Sequence, residues 1–159
     1  MSAAFRPCCN RTRSSITTKV VYTAHGTATH GGRAGGTAAT DDGKVSVKLS
    51  VPKAMGGDDG PGTNPEQLFS IGYAACFLGA MAGAARKQGL KLDPEATVNA
   101  EVSFADREDN VGYTIVGALS AHVPGMSKEE TEKLMAAAHE ICPYSHLIRE
   151  KHDVQLTAV

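Results

Sequence analysis

The chain has no tryptophan and only 5% aromatic residues among 159, which leaves few flat rings on which nucleic-acid bases could stack. It also has no excess of positive charge. Sixteen Lys plus Arg face seventeen Asp plus Glu, a formal charge of -1, so the basic surface that neutralises phosphates is missing and no nucleic-acid partner is expected. Cysteine is scarce: Cys8, Cys9, Cys76 and Cys142 contain no CxxC pair, so neither a disulfide framework nor a zinc quartet is encoded, and a reducing compartment is expected. What the chain has in plenty is small residues, seventeen glycines and many alanines, within 42% hydrophobic and 21% charged residues. That is the usage of a chain that folds, and its length suits one domain around one core.

Charge is unevenly placed. Residues 1–40 hold Arg6, Arg11, Arg13, Lys19 and Arg33 with no acid, leaving eleven bases against seventeen acids in the remainder. Residues 1–18 are rich in Arg and Ser and lack the apolar run of a secretory signal, so they are set apart from a domain over 19–159. They are taken as a disordered leader. The alternative is a transit peptide, which would move the expected location from the cytoplasm to the mitochondrion.

From Lys19 the pattern is β: 19–32 alternates β-branched and small residues up to Gly31-Gly32, and Val45, Val47, Leu49 and Val51 follow at a period of two. A Gly- and Asp-rich loop over 55–62 leads to a marked helix start, with Asn64 as cap, Pro65 in the first turn and Gln67 placed to reach back to the cap. Residues 68–85 then run without a charge, closed by Arg86, Lys87 and Gly89. Length alone permits a membrane span, but the run is made of Ala and Gly more than Leu, Ile and Val; a helix buried all round by protein is expected instead. Strands over 97–104 and 112–123, a capping box at Ser127 and Glu130, a helix over 128–141 and a final strand over 153–159 complete the order β-β-β-α-β-β-α-β, an α+β fold.

Two cysteines fall inside this pattern. Cys76 sits in mid-helix, where a thiol is ordinarily a small buried hydrophobe and where apolar burial raises its pKa, so reactivity would require a supplied cation. Arg33, in the glycine-flanked HGGRAGG, is the nearest candidate, and its plain alternative is a solvated loop arginine. His139, Cys142 and His146 form an HxxCxxxH run, but a fourth ligand is missing and Pro143 breaks the helix that would stack the three, so no metal site is expected.

The motifs TNPEQLFSIGYAACF, HEICPYS and GGRAGG together resemble the organic hydroperoxide resistance (Ohr) subgroup of the Ohr/OsmC family over roughly 19–159. The resemblance implies a thiol-dependent peroxidase with an intertwined homodimeric α+β fold, antiparallel sheets around a central buried helix, and sites at the subunit interface. By motif position, Cys76 would be the peroxidatic cysteine, Cys142 the resolving one, Arg33 the activating arginine and Glu66 its carboxylate partner. The implied external reductant is a dihydrolipoyl group, with no bound cofactor and no metal. The segment before Lys19 departs from the family's pattern and leaves the compartment open.

Each residue type has a chemical reason. Attack of a thiolate on a peroxide oxygen expels an alkoxide, and an arginine held by a carboxylate both favours the thiolate and stabilises the leaving oxygen. A second thiol traps the sulfenic acid before it is oxidised further. A helix lined by Ala, Met and Phe favours bulky apolar hydroperoxides over hydrogen peroxide. Two other readings stay open: a redox sensor or apolar-ligand module that does not turn over, and two inert core thiols. Geometry adds one condition, because the ten residues from Glu66 to Cys76 span about 15 Å of helix, too far for one arginine to serve both. Either the helix breaks near Gly72, or Arg33 and Glu66 reach Cys76 from a second subunit, the option favoured here.

Overall fold

The computed structural model describes residues 19–149 and 155–158. Residues 1–18, with Cys8 and Cys9, lie outside the described residues, as does the start of the expected final strand. Two three-stranded sheets are separated by one long helix. The first sheet orders β1 (Gly26–Thr29), β2 (Thr37–Thr40) and β3 (Ser46–Lys48), all antiparallel. The second orders β4 (Thr97–Asp106), β5 (Tyr113–His122) and β6 (Gln155–Ala158). β4 and β5 form a ten-residue antiparallel hairpin, whereas β6 joins β5 parallel after the crossover through helices α2 (Lys128–Ile141) and α3 (Pro143–Arg149). This is the α+β architecture expected, with the parallel edge as a feature that the strand pattern alone does not contain.

The central helix α1 runs unbroken over Pro65–Lys87. Asn64 caps it by accepting from the Gln67 N–H at 2.9 Å, and Pro65 occupies the first turn, where its missing donor is not needed. The Gln67 side chain does not return to the cap. Its Oε1 accepts from the Thr63 hydroxyl at 2.7 Å, a nearer partner. At α2 the reciprocal capping box forms as read, with the Ser127 N–H donating to Glu130 at 2.8 Å and the Glu130 N–H to Ser127 Oγ at 3.2 Å.

One core lies between α1, α2 and the second sheet. Tyr73, Phe77, Met81, Ala84 and Ala85 recur on one side of α1 and pack with Leu134, Met135 and Ala138 of α2 and Leu119 and Ala121 of β5. The other side of α1 is different from the helix buried all round that the uncharged run suggests. Ile71 is 67% exposed, and Ala75 and Gly79, each one turn further on, are exposed too. The helix is long and apolar enough to cross a membrane, but protein takes up its aromatic side: Tyr73 and Phe77 are wholly buried.

The first sheet does not share this core. Every residue of β1 is exposed, and of the region from 26 to 49 only Gly36 and Leu49 are buried, because Gly, Ala, Thr and Ser offer little apolar area to bury. The β1–β2 ladder begins at Gly26. Residues 19–25, expected to be strand, belong to no strand, although the His25 carbonyl accepts from the Asp41 N–H at 3.2 Å, and Val20, Val21 and Tyr22 stand 76%, 94% and 79% exposed. The described residues thus hold one core cluster, as expected, but it is built from residues beyond Asn64, and of hydrophobic residues the first sheet adds only a buried Leu49 beside it.

Phe77, fully buried where α1 meets the core, tests this division. Phe77→Ala is expected to cost about 3–5 kcal/mol, read as a lower urea midpoint with an unchanged denaturant slope.

Candidate active site

Arg33 is delivered by a short 3-10 turn, Gly32–Ala34, between β1 and β2. The turn is entered through Gly31 at φ 90° and left through Gly35 at φ 129°, conformations that favour glycine, while a side chain at Gly36 would place its Cβ 1.8 Å from the Thr29 carbonyl oxygen. The strand ends then tie this turn to the start of α1. The Leu49 N–H donates to Gly36 O at 2.9 Å, Leu49 bridges Thr63, and Asn64 follows as the helix cap. Glu66 in the first turn of α1 is thereby brought to Arg33.

The two side chains meet as a forked pair, Nη1 to Oε2 at 2.6 Å and Nη2 to Oε1 at 2.7 Å. A bidentate guanidinium–carboxylate contact of this length is charge-assisted and directional. The Arg33 hydrogen bonds hold the Glu66 carboxyl below its ordinary range, against the opposing effect of its burial. Arg33 is held from two further sides. Its guanidinium carbon lies 5.1 Å from the centre of the Phe104 ring, and its Nη1 is 3.9 Å from Met55 Sδ. Phe104 in turn stacks with Tyr113 at 4.5 Å between ring centres. Beside the pair opens a cavity of about 280 Å³, walled by Phe69, Phe104, Tyr113 and Ile115. It offers an apolar surface next to a fixed cation.

Cys76 and Cys142 are the second pair of candidate residues. Cys142 closes α2 and precedes Pro143, which denies it helical backbone angles; it stands at φ -72° and ψ 123°, fully buried. Its Sγ donates to Cys76 Sγ at 3.6 Å, and both are free thiols. Burial pushes the Cys76 thiol above its ordinary pKa, the Tyr144 backbone N–H opposes this by stabilising the thiolate, and Cys142 adds to the rise. No cation figures among these influences.

All four sequence-predicted residues are thus found in pairs, 33 with 66 and 76 with 142. Within one chain the pairs are not joined. The helix is unbroken at Gly72, so the break proposed as one way of uniting them does not occur, and ten residues of α1 separate Glu66 from Cys76, about 15 Å of rise. The sequence reading did not single out Phe104, Met55, Tyr73 or Tyr144. Phe104 and Tyr113 carry a signal in retrospect, as aromatics on the two strands flanking the 106–110 turn, diagonal neighbours once Phe104 pairs with Ile115. His139, Cys142 and His146 belong to no metal-holding group among the described residues.

The profile of the OsmC-like protein family matches residues 56–157. The chain is 48% identical over 139 residues to the organic hydroperoxide resistance protein of Xanthomonas axonopodis pv. citri, covering 87% of this chain and 95% of that protein. Among solved structures, an organic hydroperoxide resistance protein OsmC from Legionella pneumophila is similar with a TM-score of 0.79 and 42% identity, over 88% of this chain and 98% of that one. OhrB of Bacillus subtilis is similar with a TM-score of 0.77 and 38% identity, over 88% and 100%.

The Arg33–Glu66 pair has a pH signature. Glu66 holds its proton less readily folded than unfolded, so the pair's stabilisation is complete above the ordinary carboxylate pKa of about 4.3 and is lost as pH falls through the lower folded value. Glu66→Gln is expected to lower the urea midpoint at pH 7, and the gap from the unaltered protein should close as both are titrated below about pH 4.

Proposed function

Since the chain belongs to the OsmC-like family and resembles its organic hydroperoxide resistance proteins over most of its length, we propose that it detoxifies organic hydroperoxides as a cysteine-based peroxidase. The observation that carries this reading is the 3.6 Å separation of two free thiols from positions 66 residues apart. The Cys76 thiolate attacks one oxygen of ROOH, the O–O bond breaks, and the alkoxide takes a proton to leave as ROH with sulfenic acid on Cys76. The Cys142 thiol attacks the oxidised sulfur, a disulfide forms and water leaves. An external dithiol, a dihydrolipoyl group by family resemblance, exchanges with the disulfide, restoring both thiols and becoming oxidised itself.

The missing cation points to a homodimer. In one chain Cys76 lies in an apolar setting that disfavours the thiolate, while Arg33 and Glu66 are locked together at the far end of α1. Among the described residues, open surfaces include the first sheet, the apolar arm over 20–22 and the Ile71, Ala75 and Gly79 face of α1. A two-fold partner seated on them would cover apolar area and bring its own Arg33–Glu66 pair to Cys76. The preferred substrates are hydroperoxides with bulky apolar groups, which the aromatic wall beside Arg33 accommodates and which hydrogen peroxide cannot exploit. The cytoplasm is the proposed location.

Steady-state reduction of an alkyl hydroperoxide with a dihydrolipoyl donor tests the reading. Repeated turnover is expected, and consumption of one equivalent only would instead indicate a sensor. Cys76→Ser should abolish turnover, whereas Cys142→Ser should keep the first reduction and then accumulate overoxidised Cys76, visible by intact mass. Mixing Cys76→Ser with Arg33→Met chains should restore part of the activity on subunit exchange. No recovery in verified heterodimers would count against a site shared between subunits.

A further inference from the structure

Tyr73 stands three residues before Cys76 on α1, and Ser145 stands three residues after Cys142 on α3. Both are fully buried, and their hydroxyls share a hydrogen bond of 2.9 Å. This contact and the Cys76–Cys142 contact at 3.6 Å form two rungs between α1 and the α2–α3 joint, one helical turn apart. Gly72 completes the fit: a Cβ there would lie 3.2 Å from the Tyr144 hydroxyl, so the missing side chain lets that ring lie against α1 while the Tyr144 N–H meets Cys76 Sγ.

A hydroxyl pair is a costly way to fill a dry core, because each hydroxyl loses water and regains only one partner. An apolar pair would fill the same volume. What the hydrogen bond adds is direction, fixing how α3 is set against α1, and α3 begins immediately beyond Cys142. The reaction needs that setting. A disulfide requires the sulfurs at about 2.05 Å with a defined torsion, so Cys142 must approach from 3.6 Å along one line.

We propose that the Tyr73–Ser145 hydrogen bond is a positioning device for the resolving step, holding Cys142 where it captures the Cys76 sulfenic acid before a second hydroperoxide does. The proposal rests on the reading of Cys76 and Cys142 as a redox pair. In the favoured path the Cys142 sulfur bonds to Cys76 Sγ, the S–O bond breaks, and the hydroxyl leaves with the thiol proton as water. In the competing path a second ROOH delivers an oxygen to the sulfenic acid, giving sulfinic acid and ROH. The hydroxyls of Tyr73 and Ser145 hydrogen-bond to each other and are assigned no chemistry on the sulfurs, so they are positioning residues. Burial keeps the Tyr73 phenol protonated, against the weaker opposing effect of Ser145, so the rung persists through the neutral range.

The test uses the full chain, Tyr73→Phe, Ser145→Ala, Ser145→Thr and the double variant Tyr73→Phe with Ser145→Ala, each pulsed with tert-butyl hydroperoxide. The first peroxide-consuming step, disulfide formation by thiol count, and sulfinic acid by intact mass are followed separately, with urea midpoints for stability. The expected result is a first step within about twofold of the unaltered protein and a disulfide step slowed about threefold to tenfold, the worth of one hydrogen bond, with sulfinic acid rising in proportion. Ser145→Thr should rescue capture. The double variant, with no orphaned hydroxyl, should be more stable than either single loss yet equally slow in capture, which separates positioning from stability. Unaltered capture in the stable double variant would overturn the proposal. If the unaltered protein itself forms no Cys76–Cys142 disulfide, the redox reading beneath it fails instead.

Discussion

An anionic sulfur inside an apolar core needs a positive charge close by, and the helix that carries Cys76 has none between Leu68 and Ala85. On the proposed peroxidase reading, much of the molecule answers that shortage. The cation is carried on a separate glycine-rich turn, fixed by a forked carboxylate at the helix start, a ring beneath and a thioether beside it. A guanidinium so restrained cannot stretch along α1 to the sulfur. On the proposed reading, the rigidity that would suit it to a developing oxyanion would also direct it to a thiol other than its own chain's.

The helix starts and stops were legible in the sequence because capping chemistry is local. Asn64 with Pro65, and Ser127 with Glu130, need only their immediate neighbours, and both form as read. The Val45 to Val51 pattern marked a strand that does form, shorter than read, as Ser46–Lys48 with pairing continued at Leu49, whereas the run from Lys19 misled because strand pairing needs a distant partner. The uncharged stretch over 68–85 correctly marked the central helix but not its exposed side, since Ile71 and Met81 are equally apolar to a composition count.

At the site, the four residues carried by the motifs fell into two contacts, yet spacing gave only the negative statement that Glu66 and Cys76 are too far apart for one arginine. Phe104 comes from another sheet, and although its place across the hairpin from Tyr113 could be guessed, its meeting with Arg33 could not. Tyr73 and Ser145 were in plain view inside GYAACF and CPYS, but nothing in a sequence says that two hydroxyls 72 residues apart will share a hydrogen bond.

The small side chains of β1 to β3 bear on the order in which the molecule comes together. A three-stranded sheet made mostly of Thr, Ala, Gly and Ser, with β1 exposed throughout and β2 and β3 at most half-buried, has little hydrophobic drive of its own, so it would gain persistence as other surfaces close over it. The cysteine pair belongs to the part of the chain that does have such a drive, with Cys142 among its buried residues. On the proposed reading, the thiol pair would therefore be set in place before the turn that carries Arg33 is fixed. Oxidant met midway through folding would then find a sulfur still without its cation, and reactivity would come only with the completed assembly.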